Sequence, residues 1–286
     1  MTTRETIGAR RFTEVVTDHG EGPAWLDRWG LCVLDMLVGD LVLIDASGTV
    51  SRRANVGPVV AAVRERRGGG LVVGVERGFA MLDEDLSVTE SIECWTDPSV
   101  RMNDGGCDPQ GRFWCGSMAY DLTPGAGALW RLDPDRATGL LVPDVGCSNG
   151  LAWTRDGSRA YHVDSLTNRV DVLEFAADGT IASRSPFLDV TGEGFPDGIA
   201  VDRENGVWLA LFGSGRLIHA DRYGRRDAEI TVPAAQVTAC TFGGPDFDEL
   251  YITTSRYRLT DPEPAAGAVF VAEPSVGGFA PFGFFG

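Results

Sequence analysis

No stretch of this sequence holds the roughly 18 consecutive apolar residues that a membrane-spanning helix needs, and none keeps a sustained helical period. The first absence sets aside a helical membrane protein. The second disfavours a chain that alternates strands with helices. Positive charge is also scarce: Lys and Arg total 25 against 41 Asp and Glu, giving a formal net charge of −16 and a pI near 4.5. Such a surface repels phosphate backbones, so no nucleic-acid partner is expected, and no Lys/Arg block invites an anionic membrane. The short basic cluster Arg64 to Arg67 reads as a solvated loop. The six cysteines (Cys32, Cys94, Cys107, Cys115, Cys147 and Cys240) form no CxxC pair and fall mostly inside apolar strands. They read as buried thiols in a reducing cytoplasm, with Cys107 and Cys115 as small hydrophobic filling rather than a bridge across a hairpin. The polar start MTTRETIGARRF lacks the apolar stretch of a secretory signal, which also points to the cytoplasm.

What is present is glycine, at 37, and short apolar runs between turn signals. With 286 residues and 43% hydrophobic content the chain can bury a large core, and this composition favours an all-β protein. In CSNGLAWTRDGSRAYHVDS, from Cys147, Asp156-Gly157 joins predicted strands Leu151–Thr154 and Ala160–Val163 as a hairpin. Ser148-Asn149-Gly150 stands ahead of the first strand, where no hairpin partner precedes it. The pattern recurs: EGPAWLDRWGLCVLDM from Glu21, NDGGCDPQGRFWCGSM from Asn103 and PDGIAVDRENGVWLALF from Pro196. Weaker copies begin at Val59 and Val237. About six copies at the spacing of a four-stranded propeller blade predict one domain over residues 1–286, with pieces such as GAVFVAE as outer strands.

In a propeller the first strand of each blade lines the central channel. The leading polar residues Glu21, Asn103, Asn149 and Asp197 then meet at one mouth, and the Asp-Gly hairpins lie at the other end. The Val59 and Val237 blades bring no acid. Taken singly, Asn-Gly and Asp-Gly are turn formers that tolerate left-handed angles. Taken together, two carboxylates in a narrow channel repel unless a cation intervenes. Two carboxylates and an amide oxygen suit Ca²⁺, Mg²⁺ or Mn²⁺, with Zn²⁺ and Fe²⁺ as further candidates. No histidine is placed to help: His19 packs or faces solvent, and His162 and His219 sit in strands. Asp104 reads as a turn residue, Asp108, Asp156 and Asp202 as hairpin supports, and Asp164 as a turn cap or pocket wall. Trp114, Trp153 and Trp208 read as wedges between blades. The apolar tail GGFAPFGFFG is expected to pack against the propeller.

The runs EGPAW, RMNDGGCDPQGRFWCGSM, SNGLAWTRDGSRAYHVDS, FPDGIAVDRENGVWLA and FGGPDFDELYITTS, in this order, resemble the senescence marker protein / gluconolactonase family, which includes regucalcin and sugar-lactone hydrolases. The resemblance implies an all-β, six-bladed β-propeller of four-stranded antiparallel blades around a central channel, with one divalent metal held by Glu21, Asn149 and Asp197. It implies substrate contacts from Arg101 and Asn103, and from Asp121 as the nearest match to an acidic residue after the GSM stretch. The expected activity is hydrolysis of a sugar lactone. The ion would polarise the ester carbonyl and activate a water, and Asp197 would act as general base. Phosphotriester hydrolysis or another reaction at the same metal, and a non-catalytic calcium-binding propeller, are the alternatives.

Overall fold

In the computed structural model, which describes residues 5–286, six sheets radiate from a common axis as a six-bladed β-propeller. The first four residues of the polar start considered above lie outside the described residues. The inner strands are Gly20–Leu26, Val60–Glu65, Val100–Cys107, Ser148–Trp153, Phe195–Val201 and Val237–Gly243, for blades I to VI. In blades I to IV four antiparallel strands follow outward in chain order, and blades V and VI differ only in their outermost strand. No helix among the described residues is long and apolar enough to cross a membrane.

Ring closure departs from the expected assignment of outer strands. GAVFVAE forms the third strand of blade VI, Ala268–Ala272, and the outermost strand comes from the N-terminus, Arg10–Val15, paired antiparallel to it. Blade V gains a fifth strand, Glu5–Gly8, parallel to Arg226–Thr231. Joining the N-terminal strand Arg10–Val15 and the last strand Ala268–Ala272 in one sheet leaves no open seam in the ring.

A channel on the axis precludes a single central core. The buried apolar side chains instead divide into six clusters, one between each pair of neighbouring blades. The predicted tryptophan wedges belong to them. Trp114 and Trp153 meet edge to face at 5.6 Å between blades III and IV, and Trp208 lies between V and VI. The hairpins far from the site are tied by their aspartates. Asp108 accepts from the Gln110 and Arg112 amides, Asp156 from Ser158, and Asp202 from Glu204 and Gly206. All six cysteines are free thiols; five are buried and Cys94 is half-buried.

The apolar tail runs back across the end of the channel where these hairpins lie. Gly278 donates to the Phe247 carbonyl, Phe284 donates to Glu65 and accepts from the Arg67 amide, and Phe285 donates to Gly111. The Arg64 to Arg67 segment is therefore a docking strip and not a solvated loop. Arg66 Nε reaches the Gly286 carbonyl at 3.0 Å, while Arg64 Nη2 turns inward to Gly105 O at 3.1 Å. Phe279, Pro281 and Phe282 close a cavity of about 90 Å³ whose wall includes Arg64 and Asp104.

Candidate metal centre

The inner strands place the polar residues through a shared distortion. All six carry a register break near the start: at Glu21/Ala24, Val60/Ala62, Met102/Gly105, Ser148/Leu151, Pro196/Ile199 and Val237/Cys240. Such a bulge leaves residues unpaired and re-aims their side chains. It accounts for the recurring Asn-Gly and Asp-Gly better than turn chemistry does, since neither Asn149 nor Asp197 has positive φ. The glycines answer to close approach. A Cβ at Gly150 would meet Asp197 O at 2.7 Å, and one at Gly198 would meet the Ala239 Cβ at 2.3 Å. Adjacent inner strands thus touch backbone to backbone at the axis.

Glu21, Asn103, Asn149 and Asp197 are all buried at this level, as is Arg101. Arg101 Nη1 donates to Asn103 Oδ1 at 2.7 Å and to Met102 O at 3.0 Å. Asn103 Nδ2 donates to Ser148 O at 2.9 Å, which ties blade III to blade IV. Asn149 Nδ2 donates to Ser165 Oγ at 3.2 Å, whose own proton goes to Pro196 O at 2.6 Å. That leaves Asn149 Oδ1 and Asp197 Oδ1 buried with no hydrogen-bond partner. Burial, then the charge of Asp104, pushes Glu21 up to about 8. Burial, then the charges of Glu21 and Asp104, raises Asp197 well above the usual carboxylate range.

A cation would suit these features. Buried oxygens lacking donors are costly, and so are neighbouring carboxylates that resist ionising together; a hard divalent ion relieves both. Among the described residues no three or more His, Cys, Asp or Glu side chains group so as to hold a metal. The candidate donors would be two carboxylates and an amide, the buried Glu21, Asp197 and Asn149, all oxygen donors.

Several residues stand where the sequence reading did not put them. His19 faces the site, with Nε2 3.9 Å from Glu21 Oε1, Nδ1 2.9 Å from Ser255 Oγ, and its ring stacked on Tyr257. Burial, then Arg101, lowers its pKa to about 3, so the ring is neutral. Asp104 lies in the same bulge as Asn103 and lines the channel cavity, from where its charge acts on Glu21 and Asp197. Burial pushes it up to about 6, and its Oδ1 accepts from its own Gly105 amide. A bulge cannot be read from an Asp-Gly pair in sequence, because the same pair also signals a turn. Asp121 is not brought to the others. It is exposed, and its Oδ1 is engaged by the Thr123 amide and hydroxyl. Its neighbour Tyr120 faces the site instead, with its ring 5.6 Å from the Arg101 guanidinium. Asp164 caps the turn after its strand, accepting from Leu166, Gly146 and Cys147 amides.

Comparison with known proteins follows the geometry. Residues 19–256 match the family profile described as the SMP-30/gluconolactonase/LRE-like region. A Bacillus subtilis protein named, by inference, sugar lactone lactonase YvrE is 32% identical over 279 residues, spanning 93% of this chain and 95% of its own. Regucalcin of Danio rerio is 34% identical over 280 residues, with the same 93% and 95% coverage. The crystal structure of regucalcin from Agrobacterium tumefaciens, described as a calcium-binding protein, superposes with a TM-score of 0.93 at 26% identity over 100% of both chains. The chain belongs to the SMP-30/gluconolactonase/LRE-like family.

Proposed function

We propose that this chain is a divalent-metal-dependent hydrolase that opens a lactone ring, with the ion held by Glu21, Asn149 and Asp197. The observation that carries the reading is the pair of partnerless buried oxygens, Asn149 Oδ1 and Asp197 Oδ1, set beside a second carboxylate. The names of the Bacillus subtilis relative and of the family point to lactones. The Agrobacterium regucalcin, described as calcium-binding, favours Ca²⁺ as the first ion to try.

When bound, the ion would supply Lewis acidity toward the ester carbonyl and make a water nucleophilic near neutral pH. Asp197 would take the proton of the attacking water and return it to the ring oxygen as the acyl C–O bond breaks, leaving a hydroxy acid. Arg101 spends only Nη1 on its internal bonds, so Nε and Nη2 would orient a ligand oxygen. Asn103 would act mainly by fixing Arg101, because both ends of its amide are engaged. Neutral His19 would pack beside Glu21 without adding charge.

The test is acid release from a lactone panel beginning with sugar lactones, before and after dialysis against a chelator. Turnover should vanish with the chelator, return with a divalent ion, and be lost in Asp197→Asn. Full turnover after exhaustive chelation would overturn the reading.

A further inference from the structure

Arg101 is a buried cation without an anionic partner among the described residues, 7% exposed at the mouth that holds Glu21 and Asp197. Its hydrogen bonds leave from Nη1 alone, to Asn103 Oδ1 at 2.7 Å, Met102 O at 3.0 Å and Met36 Sδ at 3.3 Å, all uncharged. Elsewhere this chain gives a buried charge its opposite: Asp171 is shared by Arg169 and Arg184, and Asp108 is held by Arg112. A cation taken out of water and left unpaired is costly, and a ligand of opposite charge would remove that cost. The guanidinium lies close to the axis, since its charge interacts with Glu21 of blade I, Cys147 at the entry to blade IV and Tyr257 of blade VI.

The carboxylates around it are committed elsewhere. Asp35 accepts from the Asp18 and His19 amides, each at 3.1 Å. Glu76 accepts from the Tyr120 hydroxyl at 2.8 Å and from Arg77 Nη1 at 3.0 Å. Asp121 is exposed and engaged by Thr123, and Asp104 lines the cavity that also holds Arg64. The proposed ion takes the charges of Glu21 and Asp197, and His19 is neutral. That leaves the positive charge of Arg101 to be met by the ligand.

The direction of the guanidinium is fixed. Its Cζ lies 5.6 Å from the centroid of the Tyr120 ring, and Asn103 and Met102 hold Nη1. The edge opposite Nη1, formed by Nε and Nη2, presents two parallel N–H donors, a fork that matches the two oxygens of a carboxylate. We infer that the substrate is a lactone carrying a carboxylate, which sits on Nε and Nη2 of Arg101 while the ring carbonyl faces the candidate metal centre. This rests on the lactonase reading and names the substrate class within it; the product is then a hydroxylated dicarboxylic acid. A carboxylate, with one charge, suits a single guanidinium among these acids better than a phosphate dianion does.

The experiment compares kcat/KM within matched pairs of lactones: 5-oxotetrahydrofuran-2-carboxylate against its carboxamide, and D-glucaro-1,4-lactone against D-glucono-1,4-lactone. The carboxylate should be preferred about tenfold to a hundredfold in each pair, the range for hydrogen bonds to a charged group. Arg101→Gln should bring that ratio close to one, whereas Arg222→Gln, exposed at the opposite end of the propeller, should leave it in place. A wild-type ratio of one or below overturns the inference, and so does a high ratio that survives Arg101→Gln. Calorimetry on the Ca²⁺-loaded chain with 5-oxoproline, the hydrolysis-resistant lactam of the first acid, and with its amide separates the two readings. Tighter binding of 5-oxoproline with no lactone turned over would sink the lactonase assignment and uphold the carboxylate site. Turnover with neither a charge preference nor a difference between the two lactams would do the reverse. Stronger competition by inorganic phosphate than by 5-oxoproline would assign the guanidinium to phosphate and overturn the carboxylate.

Discussion

Gly150 lies against the backbone of Asp197: a methyl group there would stand 2.7 Å from the Asp197 carbonyl oxygen and 2.8 Å from the Ile199 amide. The absence of a side chain in blade IV therefore fixes where blade V presents its carboxylate. Gly150→Ala should push the two inner strands apart at the height of the candidate metal centre. Overpacking of this kind costs about 1–3 kcal/mol. Thermal unfolding should show a lowered Tm, and ion affinity should fall with it. An unchanged Tm together with unchanged affinity would mean the strands separate freely and do not position Asp197.

The cation reading has a test independent of turnover. An ion that binds only the folded chain stabilises it by about 2.7 kcal/mol at a hundred times its Kd. Wild-type Tm should therefore rise as Ca²⁺ is added to chelated protein. Glu21→Gln and Asp197→Asn each remove a charge from the ligand set and should largely abolish that rise. They should also leave the ion-free protein no less stable than wild type, because each removes one of the buried like charges. An undiminished Ca²⁺ response in both variants would remove these residues from the site.

Repetition made the fold legible. Six strand pairs at blade spacing, each led by a short polar or glycine-bearing segment, suffice to name the architecture and to bring Glu21, Asn103, Asn149 and Asp197 to one level. What stayed hidden depends on partners remote in sequence. RRFTEV buries only Thr13 and shows no clean alternation, and its register is set by Ala268–Ala272, at the other end of the chain. Asp104 carries the signature of a turn, and only the pairing of Arg101 with Met118 and Gly105 with Cys115 exposes the bulge that turns it to the channel. His19 lies outside the repeat, and its approach to Glu21 depends on Ser255 and Tyr257 of blade VI. Arg64 looked like part of a charged loop because the tail that covers it begins some two hundred residues later.

His219 offers a pH-dependent stability term remote from the candidate centre. Its Nε2 lies 2.9 Å from Asp202 Oδ2 and its Nδ1 2.5 Å from Asp227 Oδ1. Burial pulls its pKa down, but the hydrogen bonds and charges of the two aspartates outweigh this and raise it above 6.5. The protonated ring therefore favours the folded state. That contribution is complete below pH 6.5 and fades as pH climbs through the raised folded value. Tm of the wild-type chain should fall as pH rises from 6.5 through the raised folded value, and His219→Gln should fall less over the same rise. Parallel curves for the two proteins would show that the pairs carry no net linkage.

The tail joins the far end of the channel to the core, and Phe284 is where it does so. Its side chain is fully buried in the cluster between blades II and III, beside Phe113 and Met81. Its amide donates to Glu65 and its carbonyl accepts from Arg67. Phe284→Ala should cost about 3–5 kcal/mol, the range for an aromatic side chain removed from a core. Because the same segment carries Phe279 and Phe282 over the cavity, its release should also open the channel from below. Urea unfolding would report the first effect, and hydrogen exchange at the Gly105 and Gly106 amides the second. A variant with wild-type unfolding and wild-type exchange would mean that the tail rests on the propeller without sealing it.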